Sequence, residues 1–344
     1  GGGNGLALYA LRRLINAVPL VLGVIVVNFV LIALAPGDPV TSLIGEYPAP
    51  PEYVERVRAD FGLDRSLPER LWLYLVNVAK GDLGFSFANR LPVLDLLLQR
   101  LGRTLVLMLS TVVVATAIGL LLGVVAARKP GSLADRGATG FALVGYAVPE
   151  FWLGQILILV FAVLLGWLPA GGFRSVRVEY TGFAAALDML RHMLLPMAAL
   201  SFRYMAISTR LTRASLLEVM SSQYIVAARG RGLSESAVLW RHALRAAALP
   251  VVTVIGYNFA FIVAGSALVE TVFGWPGIGR LMYDSIYTRD YPVLLGILLF
   301  VSVTVIVVNL VTDALYAVLD PRVRHRWPTP RGPTTSRWRT PPNP

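Results

Sequence analysis

Residues 224–250 read YIVAARGRGLSESAVLWRHALRAAALP and decide the class of this chain. The stretch is cationic and helix-prone, yet it lies between two apolar segments that are each long enough to cross a bilayer. A membrane protein that keeps two helices of ordered loop on one side usually offers them to a soluble partner. The stretch therefore predicts a membrane subunit that another protein drives.

The composition also indicates a membrane protein. Of the 344 residues, 56% are hydrophobic and 15% are charged, whereas a soluble domain carries about 25% charged residues. The net charge of +11 does not indicate nucleic-acid binding, because the basic residues flank apolar segments, where they set membrane orientation. The chain has no cysteine, which excludes disulfide bonds and thiolate metal sites.

Six apolar segments reach the roughly 20 residues that a transmembrane helix needs. They are residues 14–35, 104–127, 138–168, 192–209, 246–269 and 292–318. We expect an all-α membrane protein with a cytoplasmic N-terminus at 1–13 and a five-helix core at 104–318. Basic residues cluster before the first span, after the second, between the fourth and fifth, and after the sixth. Both termini are therefore predicted to be cytoplasmic.

The external segment 36–103 and the tail 319–344 have different predicted structures. The external segment contains two predicted helices, 52–61 and 69–79, the second preceded by Ser66 and Pro68 as a start signal. This segment is either a cap over the bundle or a docking surface for an external protein, and the two roles are compatible. The tail is rich in Pro, Arg and Thr, which predicts disorder.

Small residues and prolines predict how the helices pack. Gly119 and Gly123 form a G-x-x-x-G pattern in the second span, which favours close approach of another helix. The fifth span carries small residues near one face, at positions 256, 260, 264 and 265. Pro149 and Pro196 are candidate kinks in the third and fourth spans.

Three charged residues lie within the predicted spans, Glu150, Arg203 and Asp313, and charges at bilayer depth are costly. Glu150 and Arg203 could share a depth and pair with each other, or line a wet path that contacts a zwitterionic substrate; Arg203 could also snorkel along its stem. Asp313 is interpreted as an interfacial anchor. The candidate path residues are Glu150, Arg203, Tyr257 and Asn258.

The cytoplasmic loop is predicted to form two helices, 215–228 and 235–248. Gly230 and Gly232 separate them, and Ser234 is a suitable N-cap for the second. The second helix carries an apolar stripe at helical spacing, formed by Ala237, Trp240, Leu244 and Ala247. Such a helix fits a groove on a partner, or alternatively lies on the membrane surface with its arginines against anionic lipid.

Several motifs in order resemble one family. They are APGDP at 35–39, GDLGFS at 81–86, PEFWLG at 149–154, GWLP at 166–169, ETVFGWPGIG at 270–279, DYP at 290–292, Asn309, Asp313 and DPR at 320–322. From about residue 11 to 324, the chain resembles the B-type permease subunit of dipeptide, oligopeptide and nickel ABC importers that depend on a binding protein. The resemblance implies the type I ABC importer permease fold in the inner membrane of a bacterium.

The resemblance also implies partners and site residues. The implied partners are a second permease, two ATP-binding subunits that hold ATP and Mg²⁺, and an external solute-binding protein; this chain would bind no cofactor or metal itself. Val226 stands where the general family has Glu. The implied ATPase-coupling residues are Ala227, Ala228, Gly232, Leu233, Ser234, Glu235, Trp240, Arg241 and Arg245. The implied contacts with the external protein are Asp82, Phe85, Glu270 and Trp275.

Peptide is the expected cargo, with nickel chelates and other small solutes as alternatives. The sequence has no G-x-x-x-x-G-K-[ST] phosphate loop, so ATP hydrolysis is expected on partners and the chain is not expected to be an enzyme. An ion-gradient-coupled transporter with Glu150 as its relay is a second hypothesis. A membrane enzyme is a third, although neither H-E-x-x-H nor G-x-S-x-G occurs.

Overall fold

The computed structural model describes residues 3–34, 40, 50–60, 62–86, 88–248, 250–251 and 266–319. This part of the chain consists of long helices and a small two-stranded antiparallel sheet. The helices are α1 (Gly3–Ala33), α2 (Pro51–Asp60), α3 (Leu67–Ala79), α4 (Val93–Arg128), α5 (Leu133–Ala147), α6 (Glu150–Leu157), α7 (Gly182–Met220), α8 (Gln223–Gly230), α9 (Glu235–Ala237), α10 (Ile278–Tyr287) and α11 (Tyr291–Leu319). The π-helical segments Ile158–Leu164 and Val238–Ala243 follow α6 and α9, and residues 244–248 and 266–272 are also helical.

Within the described residues, three helices are long and apolar enough to cross a membrane: α4, α7 and the Tyr291–Asn309 part of α11. They confirm apolar helices at three of the predicted spans. The first predicted span falls in α1, where Val18–Ala33 is a shorter apolar stretch. The fifth, 246–269, lies mostly outside the described residues, so the six-span prediction remains a prediction.

The third predicted span is not one continuous helix. Helices α5 and α6 meet at a bend of 103°, which makes a broken span or a re-entrant loop. Val148 and Pro149 both adopt extended backbone conformations at the break. Proline lacks the N–H for an intrahelical bond and disfavours helical geometry in the residue before it. The expected kink at Pro149 is therefore a full break, whereas Pro196 lies inside the unbroken helix α7.

Helices α4 and α7 pack against each other at the predicted small-residue pattern. A methyl group added at Gly123 would lie 2.5 Å from Thr212 Cβ and 2.8 Å from the Thr209 carbonyl oxygen. Gly119 similarly faces Ser208. Two glycines one turn apart thus let the backbones approach closely, which is how helices associate where lipid removes the hydrophobic driving force.

The external segment confirms both predicted helices, as α2 and α3. At the start of α3, the Glu69 carboxylate accepts hydrogen bonds from the Ser66 N–H at 3.1 Å and from Ser66 Oγ at 2.9 Å. Strands β1 (Phe85–Ser86) and β2 (Leu91–Pro92) pair antiparallel just before α4. Buried Ser86 donates to Asp290 Oδ2 at 2.6 Å, which joins β1 to the start of α11.

The predicted loop helices are partly corrected. Residues 215–228 are not one helix, because α7 continues to Met220 and α8 begins at Gln223 after a break at Ser221 and Ser222. Both serine hydroxyls bond backbone carbonyls three residues earlier, and such side chains compete with the helix for backbone groups. Residues 235–248 are helical as predicted, but with a π-helical middle.

Candidate functional site

Residues 223–248, in the loop that the sequence predicts to be cytoplasmic, form a packed body that we call the coupling platform. Its buried apolar side chains join those at the ends of α4 and α7 in one cluster. The buried members of the cluster are Val124, Leu216, Ile225, Ala228, Val238, Leu239, Ala243 and Ala247. Because Val124 belongs to α4 and Leu216 to α7, the platform is attached to both long helices.

The coupling platform exposes four large apolar side chains beside charged ones such as Arg231 and Arg241. The four apolar side chains are Tyr224, Val226, Leu233 and Trp240. Val226 is 60% exposed although its neighbour Ile225 is fully buried. Several exposed large apolar side chains on one small body make it a candidate interaction surface.

The turn between α8 and α9 is held in one shape. Arg229 and Glu235 form a two-pronged ion pair across it, with Nε–Oε1 and Nη2–Oε2 distances of 2.8 and 3.1 Å. Gly232 has a φ of +80°, a conformation that glycine adopts without strain. The Ser234 Oγ accepts from the Ala237 N–H at 3.3 Å, which confirms the predicted N-cap.

The structure divides the predicted coupling residues into exposed and buried ones. The exposed ones are Ala227, Gly232, Leu233, Ser234, Glu235, Trp240, Arg241 and Arg245. Ala228 is buried in the cluster, and its part in coupling stays a prediction. It supports the platform from within.

The predicted apolar stripe does not share one face: Trp240 is exposed, Ala237 and Leu244 are partly buried, and Ala247 is buried. Trp240 is 44% exposed, whereas Val238, Leu239 and Ala243 are buried. A π-helical segment bonds i to i+5 instead of i+4, so the residues that share a face differ from those that ordinary helical spacing selects. Trp240 is turned outward, and the Arg128 guanidinium lies 5.6 Å from its ring centroid.

A buried carboxylate ties α5 to α7 near the coupling platform. Asp135 is 4% exposed and accepts from Arg213 through Nε to Oδ1 and through Nη2 to Oδ2, the latter at 2.9 Å. It also accepts from the Gly131 N–H at 2.8 Å. This pair was not predicted, and the local signal for it was only Ser132, whose Oγ accepts from the Asp135 N–H.

A second buried carboxylate organises the opposite end of the bundle. Glu270 is fully buried and accepts from Thr104 Oγ1 at 3.1 Å and from the Arg280 N–H at 2.9 Å. Thr104 Oγ1 in turn accepts from the Ile278 N–H at 2.8 Å. A methyl group on Gly277 would lie 2.5 Å from Glu270 Cδ. We call Thr104, Glu270 and residues 277–280 the outer lock, because they join α4 to α10.

Trp275 completes the packing beside the outer lock. It is fully buried, donates from Nε1 to the Arg103 carbonyl at 3.1 Å, and packs edge-on against Phe173 at 5.1 Å. Since Glu270 and Trp275 are both enclosed, neither has a surface for direct contact with an external protein in this conformation. Of the predicted external contacts, Asp82 and Phe85 are exposed.

Tyr146, Glu150 and Arg203 form an uncovered polar patch, which we call the charged face. Glu150 is the first residue of α6 and is half-buried, and Arg203 projects from α7 and is exposed. The Arg203 guanidinium lies 5.4 Å from the centroid of the Tyr146 ring. The two charges interact electrostatically, but no ion pair within 4.0 Å joins them. The predicted direct pair is therefore not formed here, and Tyr257 and Asn258 lie outside the described residues.

The spanning helices, the attached platform and the charged face define a membrane permease component. Residues 119–325 match the family described as the binding-protein-dependent transport system inner membrane component. Residues 6–108 match the N-terminal region of membrane components of such systems. The chain belongs to this family.

Individual relatives match nearly end to end. The chain is 38% identical over 325 residues to the oligopeptide transport system permease protein AppB of Bacillus subtilis strain 168, covering 93% of this chain and 100% of that protein. It is 39% identical over 335 residues to the dipeptide transport system permease protein DppB of Escherichia coli K12, covering 92% and 99%. It is 39% identical over 318 residues to the glutathione transport system permease protein GsiC of Escherichia coli O6:H1, covering 92% and 99%.

The fold is also found among solved structures. An inward-facing structure of the MetNI methionine ABC transporter matches with a TM-score of 0.52 and 19% identity, covering 65% of this chain and 96% of that one. A second crystal form of the same transporter gives a TM-score of 0.53. At this identity the match shows a shared fold, which confirms the expected type I importer permease fold.

Proposed function

We propose that this chain is one of two permease subunits of an ATP-driven importer that carries peptides across the inner membrane. The coupling platform is the observation that carries the proposal. It exposes large apolar side chains and is built into the ends of α4 and α7. Such a body transmits a push from a soluble partner to the membrane helices.

The path of that push runs through the contact between α4 and α7. The two helices share the platform cluster at Val124 and Leu216, and they approach closely at Gly123. At its other end, α4 carries Thr104, which holds the outer lock. Because closely packed helices transmit strain, a displacement of the platform is passed along α4 to the outer lock.

The energy source belongs to partners. Two ATP-binding subunits would hold ATP and Mg²⁺ and dock on the exposed platform residues, and a second permease would complete the path. The exposed residues Asp82 and Phe85 are the proposed contact with an external solute-binding protein. Nucleotide and binding protein would then shift the population between inward- and outward-open states.

Peptide is proposed as the cargo on the names of the relatives. Transport systems for oligopeptides, dipeptides and glutathione contain permeases 38–39% identical to this chain over almost its whole length. Oligopeptides, dipeptides and glutathione all carry a free ammonium group and a free carboxylate group. The charged face, the proposed lining of the path, carries one side chain of each opposite sign.

Reconstitution in vesicles tests the energy source. The chain with its partner subunits and binding protein should take up peptide only when ATP is supplied on the ATPase side, and dissipating the ion gradient should leave initial uptake unchanged. Uptake that follows the gradient and ignores ATP would contradict the proposal and support an ion-coupled carrier.

A variant of the platform tests the site. Val226→Asp places a charge on the exposed apolar surface, so we expect weak co-purification of the ATPase subunits and at least about a tenfold loss of ATP-driven uptake. Val176→Asp is the matched control, because Val176 is fully exposed in the loop before α7. Normal uptake with Val226→Asp would show that the ATPase docks elsewhere.

A further inference from the structure

The charged face is placed by the break in the third span. Pro149 ends the extended link between α5 and α6. Glu150 therefore begins α6 only four residues after Tyr146, which lies in the last turn of α5. The N-terminus of a helix carries partial positive charge, which stabilises the Glu150 carboxylate there. Arg203, on the neighbouring helix α7, brings the opposite charge to the same face.

Among the described residues, none covers this face. Tyr146 is 59% exposed and Arg203 is exposed, and Trp152 on α6 is also 49% exposed. Charged side chains inside membranes avoid lipid and face bundle interiors or water-filled cavities. The charged face therefore looks into an aqueous space or an inter-subunit cavity.

Neither charge is neutralised by the other at contact distance. The Arg203 guanidinium lies 5.4 Å from the centroid of the Tyr146 ring, within cation–π range, and this contact leaves its N–H donors available to another acceptor. Glu150 has no ion pair within 4.0 Å in the described residues. Tyr204 interacts electrostatically with both charges, and the Tyr146 ring lies beside Arg203.

We infer that the charged face is a substrate subsite that recognises both ends of a zwitterionic peptide. The free ammonium of the peptide lies against Glu150, and its terminal carboxylate accepts hydrogen bonds from Arg203. Arginine matches a carboxylate with two parallel N–H donors, and Tyr146 holds its guanidinium plane. The subsite refines the proposed peptide import, on which it rests, by assigning recognition of free termini to the permease.

Three forms of one dipeptide test the subsite in the reconstituted transporter with all its partners. They are the free dipeptide, the N-acetyl form and the C-terminal amide, each supplied at concentrations that saturate the binding protein. Uptake by each variant is divided by wild-type uptake of the same form, which removes the selectivity of the binding protein.

The expected result is a crossed pattern. Glu150→Gln should lower transport of the free and amidated forms about tenfold and leave the acetylated form unchanged, because only the first two carry an ammonium. Arg203→Gln should lower transport of the free and acetylated forms and spare the amide. Arg203→Lys should be intermediate, since it keeps the charge but loses the two-donor geometry.

The matched controls lie on the same helix as Arg203. Arg210→Gln and Glu218→Gln remove charges from exposed positions further along α7 and should not distinguish the three peptide forms. ATP hydrolysis and co-purification of the second permease are measured in parallel.

Several results would overturn the subsite. Equal losses for all three peptide forms would show a structural role for the charges, and unchanged transport would show no role. Loss of the second permease from the Glu150 or Arg203 variants would assign the charges to the subunit interface. Absence of ATP-driven uptake by the wild-type complex would instead count against the proposed function itself.

Discussion

Arg213 donates hydrogen bonds to both carboxylate oxygens of Asp135, although the two residues are 78 positions apart in the sequence. The pair ties the first turn of α5 to the last third of α7, beside the coupling platform. It fixes the short loop after α4 to the same helix that carries the platform cluster.

Breaking the Asp135–Arg213 pair should lower the stability of the bundle where α5 meets α7. Asp135→Asn leaves Arg213 without its charged partner, and we expect a lower Tm in detergent than for the wild type. Asp284→Asn is the control, because the Arg280–Asp284 pair is exposed and 3.7 Å apart, a kind of pair that contributes little. Equal melting temperatures for Asp135→Asn and the wild type would show that the Asp135–Arg213 pair does not stabilise the fold.

The close approach of α4 and α7 predicts a strong effect of a single methyl group. Gly123→Ala would drive a side chain against Thr212 and the Thr209 carbonyl, and overpacking of this kind costs about 1–3 kcal/mol. Gly140→Ala in α5 has open space around the added methyl group and should be neutral or slightly stabilising. Denaturation of the two variants under identical conditions measures the difference, and similar stabilities would contradict the close contact.

The outer lock predicts that one hydroxyl group holds two elements. Thr104→Val keeps the volume but removes the donor to Glu270 and the acceptor for the Ile278 N–H, so we expect a loss of about 1–3 kcal/mol. Thr288→Val is the control, since the exposed Thr288 hydroxyl bonds a carbonyl of its own helix. The free energy of unfolding of both variants measures this loss. An unchanged value for Thr104→Val would show that the outer lock does not stabilise the fold.

Asp290 predicts a pH dependence where β1 meets α11. Burial raises the pKa of the Asp290 carboxyl above its usual value, opposed by the hydrogen bond from Ser86. A group with a raised folded-state pKa contributes stability that is fully present below the unfolded pKa, about 3.9, and is lost as pH rises through the folded pKa. The Tm of the wild type should therefore fall relative to that of Asp290→Asn as pH rises from about 4. Parallel Tm curves for the two proteins would contradict this assignment.

Local patterns in the sequence predicted the elements that depend on neighbouring residues. Ser66, Pro68 and Glu69 mark the start of α3 through contacts within one helical turn, and the structure contains that start. Gly119 and Gly123 predicted a close helix contact for the same reason, because their spacing alone puts them on one face.

Features that depend on distant residues were predicted less well. The Asp135–Arg213 and Thr104–Glu270 contacts join residues far apart in sequence, and no local period reports them. Ordinary helical spacing grouped Trp240 and Ala247 on one outward-facing stripe, but the segment is π-helical from Val238 to Ala243, and Ala247 is buried whereas Trp240 is exposed. Pro149 indicated a disturbance of the third span, while the size of the bend depends on what the two halves pack against.

Helix α7 runs unbroken for 39 residues, which at 1.5 Å per residue is roughly 58 Å and exceeds the roughly 30 Å hydrocarbon layer by far. The C-terminal end of this helix packs in the coupling platform, and its N-terminal part carries Met193 and Leu195 in the cluster that contains Trp275. A rigid rod cannot swing away from the axis at both ends in the same direction while it pivots in between. The geometry thus disfavours a continuous water column from one side to the other, so the membrane can keep its ion gradients while large solutes pass.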